Sequence, residues 1–349
     1  MYFGSDNQAG ASAQVFATLQ QANEGITAAY GDDEWTTKAV GRLRELFECD
    51  AEVFLVSTGT AANSLALSCL VNPWESIVCH GQAHIINDEL TAPEFFTGGA
   101  RLIGLDLTKP MLSATSLTEL LRQGAAHPPH NALPKALSIT QITESGQVYS
   151  LEHISELTTL AQRHGLRVHM DGARFANAIA ALGCTPAEMT WKSGVDVLSL
   201  GATKNGALCA EAVIFFDRGQ ASNFIAQRKR SGHLISKSRW LGAQFCGWLD
   251  NNHWLTLAQH ANQMADHLQT ALQQHSEYKL VWPVKANEVF VVMSQKNIDR
   301  LRSFGAIFYD WPNAFLPAGL ALTEDHRVVR LVTSFRTTED EVQQFISAL

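Results

Sequence analysis

Two short segments bring together a carboxylate and an amine. The first is Arg167-Val168-His169-Met170-Asp171-Gly172-Ala173-Arg174 and the second is Ser199-Leu200-Gly201-Ala202-Thr203-Lys204-Asn205-Gly206. In each, a mostly apolar run gives way to small and polar residues, so an acid stands at the end of one predicted strand and a lysine at the end of the next. A lysine amine condenses with an aldehyde, and a carboxylate that pairs with a pyridinium nitrogen lets the ring act as an electron sink. Together they form the arrangement needed to hold pyridoxal phosphate (PLP). Lysine is commonly solvated, but Lys204 lies in a loop of small residues directly after a predicted strand, where it is partly desolvated and near Asp171, a setting suited to a nucleophilic amine. Capping of the following helix is the plain alternative for Asp171, though capping does not account for Arg174 three residues on.

Other segments fit the same chemistry. Ser57-Thr58-Gly59-Thr60-Ala61-Ala62-Asn63 follows a strand and opens a helix, so its backbone N–H groups sit at a positive helix end where a phosphate can bind. An ordinary helix capped by Thr58 or Thr60 has the same sequence, and neither a Walker motif nor a GxGxxG fingerprint is present. His84, after the predicted Ser76–His80 strand, is placed to act on a proton. The segment from Gln227 to Arg239 is a local basic cluster in a chain of net charge -8, and as a generic charge run it would be a solvated face.

These residues need strand ends to carry them. Strands are predicted at 52–57, 76–80, 102–105, 136–141, 166–170, 195–200 and 212–216, with helical patterns between them such as Ser150 to His164. The alternation is that of an α/β fold with a mostly parallel seven-stranded sheet covered by helices. In such sheets ligands collect at the carboxyl ends of the strands. Pro128-Pro129-His130-Asn131 reads as a surface loop. Beyond about residue 238 a long helical stretch from Trp240 to His275 precedes strand candidates at 289–293, 307–309 and 328–332 and a final helix from Thr337, a smaller α+β domain. The expected organisation is an N-terminal arm (1–35), a large cofactor-binding domain (36–245) and a small C-terminal domain (246–349).

Composition bounds the rest. The chain has 349 residues, 46% of them apolar, enough for a large core. No basic and aromatic interleaving points to nucleic acid. The N-terminus has no basic-then-apolar leader pattern, and no apolar run approaches the ~20 residues of a membrane span, so a cytoplasmic protein with no membrane partner is expected. The six cysteines are scattered without a CxxC pair, which argues against zinc and disulfides.

The whole chain resembles the low-specificity L-threonine aldolase and phenylserine aldolase group of the fold-type I PLP-dependent enzymes. The resemblance rests on Ser5-Asp6-Asn7, Tyr30-Gly31-Asp32-Asp33, the Ser57 to Asn63 turn, His84, His169-Met170-Asp171-Gly172-Ala173-Arg174, Thr203-Lys204-Asn205-Gly206 and Arg330-Leu331-Val332-Thr333, in the family's order. It implies that Lys204 forms the Schiff base with PLP and that Asp171 pairs with the ring nitrogen. It also implies that His84 stacks on the ring, that Arg174 lies beside it on the substrate side, and that Gly59 and Thr60 bind the phosphate. Ser5 and Arg330 would hold the substrate carboxylate, Arg330 through the bidentate fork of a guanidinium; an edge-strand surface arginine is the alternative. Lys229, Arg230 or Arg239 would reach the phosphate, in some members across a subunit boundary, and Tyr30 would come from a neighbouring subunit, within a homotetramer. One departure concerns the base. Where family members often carry Glu-Asn-Thr-His, this chain reads Thr140-Gln141-Ile142-Thr143-Glu144, so the role of that histidine passes to His84, a water, or His130.

The implied reaction is retro-aldol cleavage of a small-molecule substrate, an L-3-hydroxy-α-amino acid, to glycine and an aldehyde, with no metal. A β-eliminating lyase of the tryptophanase or tyrosine phenol-lyase kind shares the lysine and aspartate logic. A nucleotide-binding domain built on the Thr58 to Asn63 turn and a catalytically silent binding protein are the rivals from other classes.

Overall fold

The computed structural model describes residues 1–124 and 130–349. The Pro128-Pro129 part of the expected loop lies outside the described residues, and His130 and Asn131 follow it, both exposed.

The strands are β1 (Glu52–Val56), β2 (Ser76–His80), β3 (Arg101–Leu105), β4 (Pro134–Thr140), β5 (Arg167–Gly172), β6 (Val197–Gly201) and β7 (Glu211–Phe215), in the sheet order β1-β7-β6-β5-β4-β2-β3. The neighbours β2/β3, β2/β4, β4/β5 and β5/β6 are parallel, whereas β7 runs antiparallel to both β1 and β6. The strands β2, β6 and β7 are buried at every position, as expected where both faces of a sheet are covered and the sequence shows continuous apolar runs. The edge strand β3 exposes Arg101 and Gly104.

Helices cover this sheet for local reasons. Ser150 caps the Leu151–Arg163 helix by accepting from His153 N, and Ile154, Leu157 and Ala161 turn to the core. Thr58 does the same for Gly59–Leu67 by accepting from Ala61 N, and Ala61, Ala62, Leu65 and Ala66 pack with Phe54, Val197, Val213 and Phe215.

A second sheet contains β8 (Lys279–Leu280), β9 (Glu288–Ser294), β10 (Tyr309–Asp310) and β11 (His326–Val332), antiparallel in the order β10-β11-β9-β8. Val289, Val291, Met293, Val329 and Leu331 bury one face against Met264, Leu268 and Leu272 of a helix, and Phe3 from the start of the chain joins that core. The expected 307–309 strand is displaced to 309–310, because Ile307 is engaged instead in a bridge to Tyr2. The single helical stretch expected from Trp240 to His275 is two helices, Arg239–Leu249 and His253–Gln273, since Asn251 (φ 52°) and Asn252 (φ 55°) adopt left-handed backbone that breaks the first and starts the second. Among the described residues no helix is long and apolar enough to cross a membrane.

Candidate active site

The carboxyl ends of β1, β4, β5 and β6 open onto one cavity of about 300 Å³. Its wall includes Thr58, Gly59 and Thr60 after β1, His84 beyond β2, Glu144 beyond β4, Asp171 at the end of β5 and Lys204 beyond β6. The reversal of β7 adds one more group: Glu211, its first residue, pairs with Gly201 at the last position of β6, so an amino-terminal residue reaches the same edge. Strands β5 and β6 end close together. A Cβ at Gly201 would stand 2.7 Å from the Ala173 carbonyl oxygen, so only glycine lets the Lys204 loop lie against the Asp171 turn.

Asp171 belongs to the strand and does not cap the next helix. Its Oδ1 accepts from Ala173 N (3.0 Å) and its Oδ2 from Asn63 Nδ2 (2.9 Å), while the Phe175–Leu182 helix starts at Arg174 with no side-chain cap. Asn63 Nδ2 also donates to Glu89 Oε1 (2.8 Å), which accepts in turn from His84 Nδ1 (2.8 Å). A buried chain of hydrogen bonds therefore joins the histidine to the aspartate and fixes the orientation of both. The bond to Glu89 raises the His84 pKa against the opposing effect of burial, and burial holds Glu89 above the usual carboxylate range. His169, in the same motif as Asp171, is structural. Its two ring nitrogens lie 2.9 Å from the hydroxyls of Ser138 and Ser199, and burial pushes its pKa down to about 4, so it stays neutral and pins β5 to its two neighbours.

Lys204 sits in a short turn, Thr203–Asn205, half-buried, and its amine makes no hydrogen bond or ion pair among the described residues. Glu211 beside it is pushed up to about 7 by burial, with Thr203 and Lys204 pulling the other way. The donor set fits PLP. The amine is uncommitted, the Asp171 carboxylate is oriented, and a Cβ built on Gly59 meets nothing within 4 Å at the start of a buried helix, leaving room for a phosphate at its N–H groups.

Arg174 lines the same cavity and is held by two carboxylates. It donates through Nε and Nη2 to the Asp6 carboxylate (2.7 and 3.1 Å), and its Nη1 lies 3.6 Å from Glu288. Burial would lower its pKa, but Asp6 and Glu288 raise it well above the usual value. Glu288, at the start of β9, also lies 3.7 Å from Arg330 Nη1, so a chain Asp6–Arg174–Glu288–Arg330 connects the start of the chain, the large sheet and the small sheet. Arg330 is on the inner strand β11, not on an edge, and packs over Trp311 with its carbon Cζ 5.2 Å from the ring centre.

Within one chain the structure brings together Lys204, Asp171, His84, Gly59, Thr60 and Arg174 around the cavity, and it does not bring in the others. Ser5 caps a short turn by accepting from Asn7 N and faces a different depression, and Asn7 takes a place in the cavity wall. Tyr30 is 52% exposed, with Lys229 Nζ 5.1 Å from its ring centre. Arg239 Nη1 donates to the carbonyls of Glu24 and Gly25, Arg230 is exposed, and Arg330 stands behind Glu288. His130 is exposed and does not line the cavity. Asn63, Glu89, Glu144, Glu211 and Glu288 are functional candidates absent from the sequence-based set. The available signal was an acid embedded among small or apolar residues, as in Ala210-Glu211-Ala212-Val213 and Glu288-Val289-Phe290-Val291.

This fold is that of the fold-type I PLP-dependent enzymes. The Leishmania major threonine aldolase structure superposes with a TM-score of 0.91 at 27% identity, covering 99% of this chain and 97% of that one. A Sphingomonas wittichii serine palmitoyltransferase shares the fold at a TM-score of 0.72 and 14% identity, covering 100% of this chain and 86% of that one. The β-eliminating lyase family model matches residues 3–296. The low specificity L-threonine aldolase of Pseudomonas sp. (strain NCIMB 10558) is 42% identical over 341 residues, 96% of each chain, and that of Pseudomonas aeruginosa is 42% identical over 308 residues, 88% of each. The chain belongs to the β-eliminating lyase family and, within it, to the low-specificity L-threonine aldolases.

Proposed function

We propose that the protein is a PLP-dependent aldehyde-lyase that cleaves L-3-hydroxy-α-amino acids, such as L-threonine, L-allo-threonine and phenylserine-like compounds, to glycine and an aldehyde. The observation that carries this reading is the convergence of Lys204 and Asp171 on one cavity with an open helix end at Gly59. Bound PLP supplies an electron sink for the pair released when the bond between Cα and Cβ breaks. The chain's own residues do the rest. Lys204 would hold the cofactor through its amine. Asp171, held by Asn63, would pair with the ring nitrogen. Gly59 and Thr60 would hold the phosphate, and the His84 ring, fixed by Glu89, would lie against the cofactor. Arg174 borders the substrate side; Ser5 and Arg330, the expected partners of the substrate carboxylate, stand outside the cavity lining in this chain, Ser5 in a separate depression and Arg330 against Glu288.

Tyr30, Lys229, Arg230 and Arg239 lie outside their own chain's cavity, so we place Tyr30, and whichever of Lys229, Arg230 or Arg239 reaches the phosphate, at a neighbour's site within a homotetramer. We keep the division into an arm (1–35), a large domain (36–245) and a small domain (246–349), and a cytoplasmic location. The test is a visible absorbance band that borohydride removes while fixing the cofactor to Lys204, followed by product analysis with L-threonine. Glycine and acetaldehyde support the reading, 2-oxobutyrate with ammonia would replace it by β-elimination, and a protein that stays colourless with added PLP would refute it.

A further inference from the structure

The cavity holds a carboxylate with no assigned part in the reaction. Glu144 lies in the segment beyond β4 where the family resemblance leads one to expect a histidine, and it lines the same cavity as Lys204, Asp171 and His84. Its Oε1 accepts the backbone N–H of His84 at 2.7 Å, which ties it to the short helix His84–Asn87. Its Oε2 is shielded from bulk water and has no hydrogen-bond partner among the described residues. A buried carboxylate oxygen without a donor is costly unless something supplies one.

The other acids in the wall already hold bonds to its other residues. Glu89 is fully buried and spends Oε1 on both Asn63 and His84; its Oε2 is shielded and unpartnered like that of Glu144, but it belongs to the carboxylate that fixes the His84 ring. Asp171 has an acceptor bond to each oxygen, from Ala173 and Asn63. Glu211 sits by Lys204 and Thr203. His84 has Nδ1 engaged by Glu89, which favours its protonated form.

Resting on the aldol reading, we propose that Glu144 is the catalytic base that takes the proton from the substrate's β-hydroxyl. The proton passes to Oε2 and the O–H electron pair becomes the second bond of the aldehyde carbonyl. The pair from the broken Cα–Cβ bond leaves with the amino-acid fragment, which takes up a proton and departs as glycine. Oε1 stays anchored on His84 N–H throughout, so the same carboxyl returns its proton to an aldehyde in the reverse direction. Burial pushes Glu144 up to about 7, which matches a base working near neutral pH. Asp171 and His84 are the charged groups that most affect it, and Arg174, Tyr149 and Cys79 complete the titratable surroundings.

The experiment compares wild-type holoenzyme with Glu144→Gln and Glu144→Asp. Glutamine keeps the size of the side chain and an oxygen for His84 N–H, so folding is retained. Four quantities are read: the cofactor absorbance, the affinity for glycine by spectral titration, the exchange of the glycine α-proton with D₂O, and kcat for L-threonine with its pH profile. Glycine has no hydroxyl, so its binding and exchange do not call on this base. Glu144→Gln is expected to lower L-threonine cleavage by about 100-fold or more and to abolish the acid limb near neutral pH, with glycine affinity and exchange within about threefold of wild type. Glu144→Asp should retain the limb and fall between the two. Cleavage by Glu144→Gln within about threefold of wild type would overturn the assignment, as would equal loss of cleavage and glycine exchange, which marks a structural role. A wild-type protein that binds PLP and glycine but fails to cleave would overturn the aldol reading itself, and this one with it.

Discussion

Replacing Glu288 by glutamine isolates the buried charge that joins the two sheets. The Glu288 side chain is 0% exposed, takes no hydrogen bond among the described residues, and faces Arg174 at 3.6 Å and Arg330 at 3.7 Å. At an effective dielectric constant of about 20, each such contact is worth roughly 4 kcal/mol. Against this stands the desolvation of the carboxylate, several kcal/mol, which glutamine relieves in part. Arg174 retains its bidentate partner Asp6, so the charge left without a partner is Arg330, 21% exposed. The net loss should be about 3 kcal/mol, at the low end for breaking a buried ion pair. Equilibrium urea unfolding of wild type, Glu288→Gln, Arg330→Met and the double variant measures it, read as a change in midpoint at constant slope. The cycle should give a coupling of about 2 kcal/mol or more between Glu288 and Arg330. A single variant within about 0.5 kcal/mol of wild type, or a coupling of zero, would refute the view that this chain of charges holds the sheets together.

Lys204→Ala should abolish turnover and leave nothing for borohydride to trap, and retained activity above a few per cent would remove Lys204 from its role. Thr58→Ala loses the bond to Ala61 N and should cost about 1 kcal/mol of stability, measured by the same unfolding assay. Glu211 gives a pH-dependent prediction for the cofactor-free protein. Its pKa rises from 4.5 to about 7 on folding, so the folded state binds the extra proton between those values and stability falls as pH rises through that window. The loss is about 3 kcal/mol when the group is fully ionised, so Glu211→Gln should gain about that much between pH 4.5 and pH 8 relative to wild type. Unfolding midpoints at the two pH values decide it, and a pH-independent difference would exclude a strongly raised Glu211.

What the sequence disclosed was the part of the site built from contiguous residues at strand ends. Asp171, Lys204 and the Thr58 to Thr60 turn stand where a buried run gives way to small residues, and periodicity marks that point directly. The expected strands recur with boundaries shifted by a residue or two, enough to place Asp171 inside β5 and not after it. Reversal of β7 left no mark in a run of apolar residues, because a strand buried on both faces reads alike in either direction. The break at Asn251 and Asn252 was a legible turn signal overridden by the helical period on each side. The buried acids were the least visible. Glu144 and Glu288 become partners of His84, Arg174 and Arg330 only after distant segments come together, while Glu89 and Glu211 lie within a few residues of His84 and Lys204, and one at a time each resembles a surface charge.

Phe3 lies in the core of the small sheet, its N–H donates to Ile307 and its carbonyl accepts from Val332, while three residues later Asp6 grips Arg174. Phe3 thus finds its partners in Ile307 and Val332, far along the chain, and Asp6 finds its own in Arg174. Asp6 must wait for residue 174, and Phe3 for β11, before either is covered. Such long-range pairing slows folding and leaves apolar surface open during synthesis. The arm that completes the wall around Arg174 is then set only when the small sheet has emerged, so a nascent or truncated chain lacking β11 would have the large sheet and Lys204 in place and yet no docked arm beside them.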